Sequence, residues 1–207
     1  MSEIKAILWD VGGVLLTNGW DHCERDELFR QFQLDRQAFE ERHAEANDPW
    51  EKGLISADEY LNKTVFYEPR NFTQQDFLDA MKGQSQLLAH SAIRILAQLA
   101  ASDILQMAAL NNEARELNDY RIERFRLRDY IPCFLSSCYV GLRKPDPKIF
   151  RLALDVLQRR PEEVIFIDDR ESNASAASAV GMCGIHYQGP EALSSELTRL
   201  GVQPATR

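Results

Sequence analysis

The sequence predicts an α/β protein: a parallel sheet flanked by helices, with a small α-helical cap inserted after the first strand. Three observations predict it. The apolar run Ile4 to Trp9 leads into Asp10-Val11-Gly12-Gly13-Val14-Leu15, and the apolar run Val164 to Ile167 leads into Asp168-Asp169. From Ala92 onward, apolar runs alternate with helical stripes, as a parallel sheet with crossover helices requires. The stretch 17–85, by contrast, is polar, helical in spacing and without a strand candidate. Ligands of open parallel sheets bind at the C-terminal ends of the strands. The acidic residues that follow the two runs therefore mark a candidate active site.

The elements follow in order. After the first strand, Leu28, Phe29 and Phe32 share one helical face, Tyr60 and Leu61 begin another, and Phe77, Leu78 and Met81 mark a third. Ser56-Ala57-Asp58-Glu59 reads as a capping box, in which Ser56 and Glu59 each bond the other's backbone amide, so a helix starts there. In the second half, Ile93, Leu96, Ala97 and Ala100 form a stripe, and Ile104 to Leu110 is a strand weakened by Gln106. Ala114, Leu117, Arg121 and Phe125 follow at helical spacing, and Phe134 to Cys138 is the next strand candidate. Asp146 is placed as an N-cap with Pro147 in the first turn of a helix whose core stripe is Ile149, Leu152, Ala153, Val156 and Leu157. After Val164 to Ile167 comes an Ala-rich helix from Ser172 to Val180, stopped by Gly181, and a last strand near Cys183 to Tyr187. The tail after Gly201 reads as disordered. The pattern divides the chain into a core domain of residues 1–16 and 86–207 and a helical cap domain of residues 17–85.

Composition narrows the function. The chain has 207 residues, 44% of them hydrophobic, enough for one substantial core. Its net charge of -8, with Lys and Arg interleaved among acids, speaks against nucleic acid or an anionic membrane as partner. No apolar stretch approaches ~20 residues, the length that spans a bilayer, and the N-terminus has no cationic leader, so a cytoplasmic location is expected. Cys23, Cys133, Cys138 and Cys183 lack metal-site spacing and read as buried, reduced thiols.

Crossover connections place the strands ending at Asp10 and at Asp168-Asp169 side by side. Three carboxylates crowded at one sheet edge stay ionised only with a cation between them, and an all-oxygen set suits Mg2+. The alternative is that each acid is an ordinary helix N-cap, which accounts for Asp168 or Asp169 better than for Asp10. Gly12 and Gly13 let the backbone bend sharply and bring amides close to an anion. Lys144, just ahead of a helix start, can hold a point charge over the same place.

In order along the chain stand Asp10-Val11-Gly12-Gly13-Val14, a strand ending Leu110-Asn111-Asn112, Lys144-Pro145-Asp146-Pro147-Lys148-Ile149-Phe150, and Ile167-Asp168-Asp169-Arg170-Glu171-Ser172-Asn173. This order resembles the four motifs of the haloacid dehalogenase-like hydrolase superfamily, across essentially the whole chain. The helical stretch after Leu15, including Trp50-Glu51-Lys52-Gly53-Leu54-Ile55-Ser56, is similar to the small cap of its phosphatase branch, which includes sugar-1-phosphate phosphatases and the N-terminal domains of epoxide hydrolases. The resemblance implies a Rossmann-like core and a Mg2+-dependent phosphatase of a small phosphorylated metabolite; a monomer or weak homodimer is expected. It implies Asp10 as nucleophile and metal ligand, the Gly12 carbonyl as second ligand, and Asp169 as direct ligand. Asp168 would hold a metal-bound water and Lys144 would bridge Asp10 and the phosphoryl group. Asn173 would orient the acidic pair, while Gly13, Asn111 and Asn112 would contact phosphate. The cap residues Trp20, His22, His43 and Trp50 are candidates to face the site.

Two positions depart from the family pattern. Gly12 stands where most phosphatases of the family carry a second Asp, the general acid and base, worth about a hundred- to ten-thousand-fold. Asn111 stands where a Ser or Thr usually donates a hydroxyl to phosphate, and an Asn amide can donate instead. The first change favours a substrate with a good leaving group, such as a sugar 1-phosphate or an acyl phosphate. Three readings follow: a phosphatase working through an aspartyl-phosphate, a non-catalytic relative that binds a phosphorylated ligand or a protein, and a dehalogenase, which would need no metal and leaves Asp168 and Asp169 unexplained.

Overall fold

A computed structural model describes residues 3–202. Five strands form one parallel sheet: β1 (Ala6–Trp9), β2 (Gln106–Ala109), β3 (Cys133–Phe134), β4 (Val164–Asp168) and β5 (Cys183–His186), in the order β3-β2-β1-β4-β5. All four residues of β1 are buried without exposed surface, because helices cover both faces of the sheet. Side chains alternate between the two sides. Ile7, Trp9, Met107, Ile165 and Ile167 pack with α5 (Ile93–Ala100) and α10 (Pro190–Arg199). Ala6, Leu8, Ala108, Val164 and Phe166 face α8 (Pro147–Leu157) and α9 (Glu171–Ala179). Each large aliphatic side chain buried in this way contributes about 1.5–3 kcal/mol. The result is the α/β, Rossmann-like sheet that the alternating pattern predicts.

Between β1 and α5 the chain forms four helices, α1 (His22–Phe32), α2 (Arg36–Glu51), α3 (Ala57–Thr64) and α4 (Gln74–Gly83). They have their own core, built on Phe29, Phe39, Trp50, Tyr60, Phe77 and Met81, and closed below by Leu117 of α6 (Arg115–Arg124). The box at Ser56 and Glu59 starts α3, with both reciprocal bonds formed. No stripe of the sequence pattern singles out α2, since its buried positions Phe39, His43, Ala46 and Trp50 include only two large apolar side chains among many charges. The final helix α10 also escapes the pattern.

Other expectations shift by a residue or more. Ile104 is 79% exposed: β1 begins at Ala6, whose partner is Gln106, so no strand residue stands opposite Ile104. The strand expected over Phe134 to Cys138 shrinks to Cys133–Phe134, because β2 ends at Ala109 and leaves nothing further to pair with. Residues Ser137–Val140 instead form the short helix α7. On α8 the buried set is Ile149, Phe150, Ala153, Leu154 and Leu157, and Val156 is half exposed. Phe150 sets that rotation by packing edge-on against Phe166, with centroids 5.3 Å apart. On α5 the buried residues are Ile95, Leu96 and Leu99, with Ile93, Ala97 and Ala100 at the margins. All four cysteines are free, but only Cys138 is buried and Cys23 is exposed. The tail beyond Val202 lies outside the described residues. Among those described, no helix is long and apolar enough to cross a membrane.

Candidate active site

The strand order reverses beside β1, between its links to β2 and to β4, and there the sheet edge opens a crevice. Trp9 pairs with Ile167, so Asp10 and Asp168 leave adjacent strands at the same level, and the Asp10 amide donates to the Ile167 carbonyl at 2.9 Å. Carboxylate oxygens of Asp10, Asp168 and Asp169 lie within 4.8 Å of one another. Lys144 sits between two of them, with Nζ 3.0 Å from Asp10 Oδ1 and 2.6 Å from Asp168 Oδ2. Its side chain is about as buried as any in the core.

Each of these side chains is held from behind. Asn173, in the first turns of α9, donates to Asp168 Oδ1 at 3.0 Å, and the Arg170 amide donates to the same oxygen at 2.9 Å. The Asn112 side chain accepts from the Lys144 amide and donates to the Lys144 carbonyl, both at 2.9 Å. Asp146 then caps α8 through the Lys148 amide at 2.9 Å, fixing the turn that carries Lys144. The Val11 amide donates to Asp10 Oδ1 at 2.8 Å, which fixes the carboxylate at the end of β1.

Electrostatics decide what fits. Burial, helped by the neighbouring Asp168 and Asp169 and opposed by Lys144, pushes the Asp10 carboxyl up to about 8. Burial and Asp168 also raise Asp169. Burial alone would lower Lys144, but the Asp10 and Asp168 carboxylates outweigh it and raise it above the usual lysine value. One ammonium is thus too little positive charge for three carboxylates, and a hard divalent cation with oxygen ligands fits the deficit. Asp168 is already engaged by Lys144, Asn173 and an amide, so Asp10 and Asp169 have the freer oxygens.

Three expected phosphate contacts are placed otherwise: Asn112, whose side chain is taken by the Lys144 backbone, and two more. The Asn111 side chain is buried, donating to Asn118 Oδ1 at 3.0 Å and accepting from Ser136 Oγ at 2.7 Å. Its amide braces the end of β2 and does not face the crevice. The Gly13 amide donates to the Leu16 carbonyl at 2.8 Å. What Gly13 supplies is space: with φ at +70°, an added Cβ would lie 2.1 Å from Asp169 Oδ2.

Above the acids is a cavity of about 200 Å³, floored by Asp10, Gly12, Asn112, Lys144, Asp169 and Asn173 and roofed by the helical layer. Of the four roof candidates, Trp20 and His43 line it. His22 is exposed beside Asp21, and Trp50 is buried behind the wall, stacked on Tyr60 at 3.8 Å. The sequence reading missed Asn18, Arg25, Asn47, Glu51, Glu113 and Arg121, which also line the cavity. Glu113 and Arg121 form a buried ion pair, and Arg121 also donates to the Thr17 carbonyl. Burial, opposed by Arg121, pushes the Glu113 carboxyl up to about 7. A signal for Arg121 was present: a charged residue in register with the apolar stripe Ala114, Leu117 and Phe125. Across the seam between roof and floor, Arg143 pairs with Glu51 at 2.5 Å and Asp48 at 3.4 Å, and Arg170 with Asp21 at 3.4 Å.

With the acid cluster and sheet in place, the comparisons with known proteins agree. The family model described as "Hydrolase: haloacid dehalogenase-like hydrolase" matches residues 4–181. The chain belongs to the haloacid dehalogenase-like hydrolases. It is 36% identical to a sesquiterpene phosphatase of Aspergillus oryzae, over 96% of this chain and 97% of that one. It is 29% identical to flavin mononucleotide hydrolase 1 of Arabidopsis thaliana, over 91% of this chain and 78% of that one. Among solved structures, a HAD-family enzyme of Bacteroides thetaiotaomicron superposes with a TM-score of 0.82 at 22% identity, covering 95% of this chain and 99% of that one. That enzyme has also been solved in complex with magnesium and inorganic phosphate.

Proposed function

We propose that the protein is a Mg2+-dependent phosphatase of a small, polar phosphorylated metabolite, working through an aspartyl-phosphate on Asp10. The observation that carries the reading is Lys144 held between Asp10 and Asp168, with Asp169 beside them. Asp10, Asp169 and the Gly12 carbonyl would hold the cation, with Asp168 acting on it through water. When bound, Mg2+ neutralises phosphate oxygens and orients them for in-line attack.

The chain's own residues then do the following. Asp10 attacks phosphorus, an Asp10 oxygen–phosphorus bond forms, and the bond to the leaving oxygen breaks with its electron pair. Lys144 faces charge on the transferring oxygens while holding Asp10 in line. No carboxylic acid stands at position 12, so solvent supplies the proton to the leaving oxygen. Water then attacks the phosphoryl group, giving inorganic phosphate and free Asp10. Leaving groups that need little protonation, such as those of sugar 1-phosphates and acyl phosphates, suit this site.

Residues 17–85 act as the cap in this reading and choose the organic group. The relatives named above act on a flavin mononucleotide and on a sesquiterpene phosphate, by their names. Here a cavity of about 200 Å³, whose roof side offers Arg25, His43, Asn47 and Glu51, supports something smaller and more polar. A cytoplasmic location accords with four free cysteines. The experiment is phosphate release from a panel of acyl phosphates, sugar 1-phosphates, flavin mononucleotide and a prenyl phosphate, with Mg2+ and with chelator. Release that requires Mg2+ and disappears in Asp10→Asn is expected; silence on the whole panel would return the chain to the class of phospho-ligand binders.

A further inference from the structure

His43 lies outside the acid cluster, and its hydrogen-bond partners favour one form of its ring. Nδ1 is 2.8 Å from Tyr60 Oη, and Trp20 Nε1 lies 2.8 Å from the same oxygen. An indole N–H only donates, so Tyr60 Oη accepts from Trp20 and must place its own hydrogen elsewhere. His43 Nδ1 is the acceptor at hand. With Tyr60 donating to Nδ1, the ring is neutral and carries its proton on Nε2.

Packing holds the ring in that orientation. Phe39 stacks on His43 with centroids 5.7 Å apart and planes at 17°, and Trp50 stacks in turn on Tyr60 at 3.8 Å and 12°. The Trp20–Tyr60–His43 chain is nearly or wholly buried, yet His43 lines the cavity beside Asn47, one turn further along α2. With Nδ1 taken by Tyr60, the ring nitrogen left for the cavity is Nε2.

We propose, resting on the phosphatase reading above, that His43 is the residue by which the helical roof selects substrate: its Nε2–H, locked by Tyr60 and Trp20, donates to a hydroxyl or carbonyl oxygen of the organic group. A fixed donor with no accepting face favours phosphate esters that carry an oxygen there and rejects those that present carbon or an ammonium. Such selection is strong because a buried N–H left without an acceptor loses its water and gains nothing. The charges around the ring keep it in this form. Burial first, then Arg25 and Arg143, hold His43 down to about 4 against the opposing pull of Glu40 and Asp21.

Two measurements on the full chain test the proposal. Nitrogen NMR of the labelled histidines should show His43 neutral with the proton on Nε2 from about pH 5 to about pH 8, and Tyr60→Phe should give a mixture of tautomers. A proton on Nδ1, or an imidazolium at neutral pH, overturns the proposal. The second measurement compares a sugar 1-phosphate, rich in oxygen acceptors, with phenyl phosphate, which has none beyond the ester group. His43→Leu should lower kcat/KM for the sugar ester by about tenfold or more, mainly through KM, and change phenyl phosphate by less than about twofold. His43→Gln, which keeps an N–H near the position of Nε2, should recover most of the loss. Equal loss on both esters, or no loss on either, overturns the role of His43. Absence of phosphate release by the unaltered protein overturns the phosphatase reading and the selection with it.

Discussion

Asn112 grips the backbone of Lys144 from both sides, accepting from its amide and donating to its carbonyl at 2.9 Å each. Sequence reasoning expects Asn112 at the phosphate; its side chain is spent instead on the lysine that pairs with Asp10 and Asp168. Asn112→Ala should therefore cost about 1–3 kcal/mol of stability through the stranded backbone groups. Misplacement of the Lys144 ammonium should lower kcat/KM by roughly ten- to a hundredfold. Denaturant unfolding and steady-state kinetics check the two effects, and unchanged kinetics would mean that α8 alone positions Lys144.

Gly13 is needed for what it lacks. Gly13→Ala puts a methyl group where Asp169 Oδ2 now lies and forces a left-handed backbone on an L-residue, worth roughly 1–2 kcal/mol. The expected outcome is a folded protein in which Asp169 has moved and Mg2+ binds about tenfold more weakly or worse. Calorimetric titration with Mg2+ reads it directly.

Restoring an acid at position 12 requires a second change. A Cβ on Gly12 would stand 3.0 Å from Asn18 Oδ1 and 3.4 Å from Asn18 Cα, so Asn18 fills part of the space an aspartate would use. Gly12→Asp alone should gain little. Combined with Asn18→Gly, it should speed hydrolysis of esters with poor leaving groups by about a hundredfold. Additive rather than cooperative effects of the two substitutions would remove Asn18 from the account.

Asp10 carries a pH signature when Mg2+ is withheld. Its carboxyl is raised from 3.8 to about 8 in the fold, so the folded state favours the protonated form and loses stability as pH climbs through that interval. Asp10→Asn removes the charge. With chelator present, the Tm advantage of Asp10→Asn over the unaltered protein should grow as pH rises from weakly acidic to about 8. Adding Mg2+ should shrink it, because the cation stabilises only the carboxylate form. A constant difference at all pH values would place Asp10 in a less buried setting.

The sheet and the acid cluster were legible because their signals are local. Four or five apolar residues followed by an acid state both a buried strand and its functional end, as at Trp9-Asp10 and Ile167-Asp168. Capping residues were equally readable: Ser56 with Glu59, and Asp146 with Pro147, start the helices they were expected to start. Positions set by packing between distant elements were not. Phe150 rotates α8 because Phe166 lies under it, and Asn111 turns inward because Asn118 and Ser136 wait there, relations that no window of sequence contains. The cavity roof was the least readable part. His43 and Glu51 look like ordinary polar residues of an exposed helix until Tyr60 and Arg143 are seen to hold them.

The seam between the helical layer and the sheet joins an apolar contact at Leu117 and a bond from Ser137 Oγ to the Glu51 carbonyl to two charged fastenings, Arg143 and Arg170, whose side chains are 27% and 56% exposed and whose partners are carboxylates. Contacts of this kind weaken as mobile ions gather around them, whereas the apolar packing within each half does not. Ionic strength thus loosens the charged rim of the doorway and leaves its apolar hinge side in place. Where release of product through that doorway limits turnover, the catalyst runs faster in brine than in dilute buffer, with its melting behaviour little altered.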